Sequence, residues 1–178
     1  MILISLHINL NKYIDMKTTA LILFIALMQI SYFLSAQTKA NDISVTALPA
    51  SVKQILDKYI ETLNLSSIDD CAAKFIKIAG GGLVNETGTA LRNDIKAYSL
   101  KKDHDDIKFY KQPVEITRVN KTASNGQGFG SSTIKGQVYK IWIAKCASSG
   151  GLPAPVSIMV PVGHTTIKTP KVVNIGSF

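Results

Sequence analysis

Apolar residues along this chain change their spacing once, and that change limits the folds open to it. Val52, Ile55, Leu56, Tyr59, Ile60 and Leu63 recur at steps of three and four, which gathers them on one face of a helix. Lys53, Asp57, Lys58 and Glu61 take the other side. Ile68, Cys71, Ala72, Phe75, Ile76 and Ala79 repeat the spacing in a second helix, after a short link at Asn64 and Leu65. Ser66 or Ser67 can cap that helix, with Asp69 and Asp70 favouring its positive end. The glycines at 80–82 end it, and Leu83 with Val84 is read as a very short strand. A weaker third helix is expected after Thr89, with Leu91, Ile95 and Tyr98 inward. Residues 101–106 (KKDHDD) read as a solvated, charged turn.

Beyond Ile107 the step becomes two. Residues 107–120 are rich in β-formers, with Pro113 marking an edge or a bulge. Residues 121–132 are rich in Gly, Ser and Asn and read as a long mobile hairpin loop. Residues 133–145 form the strongest strand, with Tyr139, Ile141 and Ile143 on one face and Val138, Lys140, Trp142 and Ala144 on the other. A Gly/Ser loop is expected at 146–153. Residues 155–162 then alternate, Val156, Ile158, Val160 and Val162 against Ser157 and Met159. A turn at 165–170 leads to a last strand over 172–178. The expected class is α+β: three N-terminal helices on an antiparallel sheet of about four long strands. Hairpin connections argue against parallel crossovers.

The N-terminus reads as an export signal. Met16 and Lys17 open it, residues 20–28 (ALILFIALM) are its apolar core, and Ser35–Ala36 offer small residues before Gln37. The expected organisation is a signal peptide over 1–36 with Met16 as true start, a flexible lead over 37–48, and one domain over 49–178. Gln29 and Ser31 interrupt the apolar stretch, which falls short of the about 20 residues of a membrane span. No cysteine follows it to carry a lipid. The mature chain is therefore expected to be periplasmic or secreted, with no stable membrane anchor.

The formal charge is +8, about +7 once residues 1–36 are removed. The basic residues stand singly or in pairs beside acids, a dispersed solvated surface rather than a tail for polyanions. Lys108, Phe109, Tyr110 and Lys111 come closest to a nucleic-acid surface, but neighbours on a strand alternate across it, and no nucleic-acid partner is expected. Cys71 and Cys146 could form one disulfide in an oxidising compartment, closing a loop of about 75 residues worth up to roughly 4 kcal/mol. They could equally be two buried thiols.

Residues 55–75 (ILDKYIETLNLSSIDDCAAKF) carry a resemblance to the nuclear-transport-factor-2-like superfamily, with its cystatin-like cone fold. The residues are Tyr59, Leu63, Ser66–Ser67, Asp69 and Phe75, followed by a turn, a helix and long strands in that family's order. The resemblance implies a curved sheet around a pocket, with Tyr59, Tyr98, Tyr139 and Trp142 as ligand-binding candidates. Its ketosteroid isomerase branch uses a helix-one tyrosine and an aspartate. Tyr59 matches the tyrosine, whereas Asn85 and Glu86 stand where the base would fall. Its dehydratase pattern pairs a histidine with an aspartate, for which only His104 and His164 are on offer. The catalytic candidates are thus Tyr59, Glu86 and His104. The histidines have no metal-ligand spacing, and neither metal nor cofactor is expected. The leading expectation is a non-catalytic domain binding a small ligand or a protein partner, with a homodimer through the sheet as a further option. The alternative is a small isomerase or dehydratase. An ionisable group beside Tyr59 inside a pocket separates the two.

Overall fold

In the computed structural model, residues 41–129, 132–146 and 155–176 are described. The expected signal peptide and nearly all of the Gly/Ser loop lie outside them. Helix α1, Ala50–Leu63, starts where the Pro49 carbonyl accepts from Val52 and Lys53, and it buries all six residues of the predicted stripe. Ser67 caps helix α2, Ile68–Phe75, by accepting from the Asp69 N–H at 3.2 Å, with Asp69 and Asp70 in its first turn. Cys71 and Phe75 point inward from it. The chain leaves α2 beside the last strand, joined by a parallel bridge between Ala79 and Val172. A Cβ on Gly80 would meet the Phe129 ring, and Gly81 has φ +60, so both positions suit glycine.

The sheet is antiparallel and runs in chain order: β1 (Asp42–Ile43), β2 (Ile116–Phe129), β3 (Ser132–Ile143), β4 (Pro155–Pro161) and β5 (Lys171–Asn174). The class is α+β, with five strands rather than about four, and the first strand precedes the helices. The expected flexible lead therefore supplies structure. Asp42 pairs with Asn120 and Ile43 with Val119, and a 3₁₀ turn, Val45–Ala47, follows.

One face of the sheet meets the helices through Val119, Tyr139, Ile141, Ile143, Val156, Ile158 and Val172. The other face carries its own smaller cluster of Phe129, Ile134, Met159 and Val173. The predicted alternation holds for Val156, Ile158 and Val160, whereas Val162 lies past the end of β4 and is exposed. Ser157 and Met159 are buried as well, Met159 within that second cluster. The last strand ends at Asn174, short of the expected 178.

Three further expectations are corrected. Residues 121–129 are not loop but the second half of β2, paired with β3 out to Phe129↔Ser132. Backbone ladder bonds do not depend on side chains, and a register shift between Ser124 and Gln127 absorbs the Asn125–Gly126 pair. Leu83 and Val84 are not a strand. Leu83 closes a 3₁₀ turn, Gly81–Leu83, and Val84 makes a single bridge to Leu91. The charged run at 101–106 is no turn either, but helix α3, Lys101–Asp106.

Helix α3 continues a π-helical stretch, Ile95–Leu100. That wider winding carries the inward face from Ile95 to Leu100, five residues on, and then at α spacing to Asp103 and Ile107. Tyr98, expected inward one ordinary turn after Ile95, is consequently left 75% exposed. The same phase shift drives an aspartate into the core.

Candidate functional site

Asp103 is 0% exposed and faces Tyr59, also 0% exposed, from across the helical layer. The Tyr59 hydroxyl donates to Asp103 Oδ2 at 2.6 Å, and the Gly176 N–H donates to the same oxygen at 2.8 Å. Three segments distant in sequence thus meet at one carboxylate oxygen: the middle of α1, the middle of α3 and the chain just beyond β5. Phe75 packs on the Tyr59 ring at 5.2 Å between centroids.

The electrostatics follow from that enclosure. Burial, then the adjacent Asp103 charge, holds the Tyr59 hydroxyl well above the ordinary tyrosine range, so it stays a donor. Burial, then Asp103, pushes the Cys71 thiol up to about 11. Tyr110 is pushed up to about 12 by burial, then by Asp103 and Asp106. Asp103 thus stands second to burial as a cause of the raised pKa in all three groups. A tyrosine donor beside an acid is the pair that enolate chemistry uses, but here both members are 0% exposed.

The remaining candidates are dispersed. Glu86 sits exposed in the turn between Val84 and Leu91, and the acid that meets Tyr59 is Asp103 instead. His104 lies next to Asp103 in sequence but points away, donating from Nε2 to the Leu65 carbonyl at 2.8 Å. His164 accepts at Nδ1 from the Ile167 N–H at 2.9 Å, closing the turn before β5. Tyr139 is on the helix-facing side of the sheet, with Lys121 Nζ 5.7 Å from its ring centroid. Trp142 is on the opposite face, half-buried between Arg118 Cζ at 4.6 Å and Lys140 Nζ at 5.2 Å from its ring centroid. Tyr59 and Tyr139 thus share the interior side, and Tyr98 and Trp142 do not join them. Cys71 and Cys146 stand as two thiols, the first inside α2 and the second past the end of β3, where its N–H donates to the Phe109 carbonyl.

Three clefts lined by described residues offer space for a ligand. One cleft of about 250 Å³ opens where α2 ends, lined by Ile76, Gly80, Val84, Thr87, Phe129 and Ile167 among others, with Lys171 as the one charged side chain among the described residues of its lining. Lys171 Nζ donates to the Lys77 carbonyl at 2.7 Å, and burial pulls its pKa below the usual lysine range. An ammonium has three N–H donors, and the protein accepts one of them here. A second cleft of about 380 Å³ lies between α1 and α2, lined by Lys58, Glu61, Thr62, Lys74, Lys77 and Ile78. A third, about 270 Å³, is bordered by Ile68, Leu91, Asn93, Lys96, Ala97 and Lys101. Neither Tyr59 nor Asp103 lines any of these three clefts.

Among the described residues, no three His, Cys, Asp or Glu side chains converge to hold a metal ion. No helix among them is long and apolar enough to cross a membrane. No family model, no curated protein and no solved structure matches the chain.

Proposed function

We propose that this is an exported, non-catalytic binding domain of the nuclear-transport-factor-2-like kind, and that it carries a small acid with an apolar body in the cleft at Lys171. The observation that carries this reading is the placing of one half-buried ammonium in a cleft whose other described lining residues are uncharged. Few polar groups in an apolar hollow are the usual chemistry of a small-molecule site. A cation whose pKa is pulled down by burial gains most from an anionic partner, because the ligand's charge offsets the cost of leaving water. The carboxylate would take the N–H donors that Lys77 leaves over, and the apolar body would lie on Phe129, Ile76 and Ile167. The closed state of Tyr59 and Asp103 supports the non-catalytic side of the reading, since no cleft described above reaches them.

The test is native mass spectrometry of the protein purified from its own source. The expected spectrum shows a retained small acid that is lost in Lys171→Met, which keeps most of the side-chain stem. A bound molecule retained equally by that variant would contradict the assignment.

One observation favours a second reading, a pocket enzyme of isomerase or dehydratase type. Tyr59 does have an acid against its hydroxyl, as that chemistry needs. The core would have to open to admit a substrate. A Tyr59 hydroxyl proton that exchanges with water within milliseconds would favour this reading over the first.

A further inference from the structure

The cations of the helical layer divide into two sets. Lys53, Lys96, Lys101 and Lys102 each have a carboxylate within 3 Å: Asp57, Asp69, Asp105 and Asp106. Lys58, Lys74 and Lys77 have no such ion pair among the described residues, and all three line the same cleft between α1 and α2. The described lining of that cleft thus carries three cations and one carboxylate, Glu61. Lys74 sits in the last turn of α2, where it also complements the helix's negative end. Lys58, within α1, has no such duty.

From this we infer a second ligand site, for a molecule bearing two or more phosphoryl groups, in the cleft formed by Lys58, Lys74 and Lys77. Lysine acts on phosphate as a compact point charge, and several lysines around one hollow suit a ligand with more than one negative charge. Two phosphoryl groups match three cations in charge more closely than one carboxylate does. Glu61 lines the same cleft, and its carboxylate could accept from a hydroxyl of the ligand body. The cleft volume of about 380 Å³ exceeds what a single inorganic phosphate fills. The site is separate from the Lys171 cleft. The two touch only at Lys77, whose side chain lines the one and whose carbonyl holds Lys171.

Such chemistry could reach the protein as a soluble diphosphate or as phosphoryl headgroups of a lipid surface. The cleft is a hollow between two helices with a single apolar side chain, Ile78, among the described residues of its lining. That favours the soluble form. The test is calorimetric titration of the purified protein with inorganic pyrophosphate at low salt, beside Lys58→Gln/Lys74→Gln/Lys77→Gln. A control, Lys53→Gln/Lys101→Gln/Lys102→Gln, removes the same charge from the paired set. The expected result is one saturable site, weakened at least tenfold in the cleft variant and less than threefold in the control. Equal weakening in both variants would show only the general field of a basic protein, and would overturn the inference. So would the absence of saturable pyrophosphate binding, or binding confined to phosphatidylglycerol vesicles.

Discussion

Replacing Tyr59 with phenylalanine isolates the contact that closes the core. The ring and its packing on Phe75 stay, and only the hydroxyl that reaches Asp103 Oδ2 at 2.6 Å is removed. Both side chains are 0% exposed, so water cannot replace the lost donor. A hydrogen bond to a charged partner contributes about 1.5–3 kcal/mol, which for a chain of this size lowers Tm by about 3–12 °C. Asp103→Ala strands two donors, the Tyr59 hydroxyl and the Gly176 N–H, and at about 1–3 kcal/mol for each stranded group it costs about 2–6 kcal/mol. In urea melts of the two single variants and the double variant, the losses should fall short of additive by about 1–3 kcal/mol, because the shared bond is counted once. A Tyr59→Phe protein within about 0.5 kcal/mol of the parent, the range of an ordinary surface change, would refute the reasoning.

Three other outcomes follow from the same geometry. Tyr59, Tyr110 and Cys71 hold their protons more tightly folded than unfolded, so their stabilisation is complete below the unfolded values and is lost as pH rises. The urea midpoint should fall between pH 9 and 11 through Cys71 and further above pH 10 through the tyrosines. Cys71→Ala should flatten the first part of that fall, and a midpoint constant to pH 11 would contradict the assignment. A thiol reagent on the native protein should label half-buried Cys146 first and reach 0% exposed Cys71 only on unfolding. Silence of both thiols until a reductant is added would mean that they are bridged. Gly136→Ala should cost about 1–3 kcal/mol, because its Cβ would run into the Val160 carbonyl of β4, a backbone atom that cannot swing away. An unchanged urea midpoint would show that β3 and β4 are less closely apposed there.

The helix pair was legible because period and caps agreed. The six-residue stripe of α1 and the Ser67 cap of α2 are local features, and local rules describe them. Where a feature depends on a distant partner, composition misled. The Gly, Ser and Asn residues of 121–129 resemble a loop, yet β3 supplies a ladder that any backbone can join. Asp103 was hidden by its charged neighbours, although it sits at helical spacing between Leu100 and Ile107, both buried. Reading that stripe through the acid, instead of stopping at it, would have turned Asp103 toward Tyr59. The π winding that leaves Tyr98 outside has no comparable signal in its residues. The two clefts assigned ligands were equally out of reach. Lys171 and Phe129, or Lys58 and Lys77, are brought together only by the folded chain.

The most direct test is amide chemical-shift mapping of the isotope-labelled protein during titration with a medium-chain fatty carboxylate. Saturable shifts clustered at Ala79, Gly80, Thr87, Phe129 and Lys171, and weakened in Lys171→Met, are the expected result. Shifts centred on Tyr59, Asp103 and Tyr139 would contradict it, since they would mean that the interior opens to ligands and the cleft at the end of α2 does not hold them.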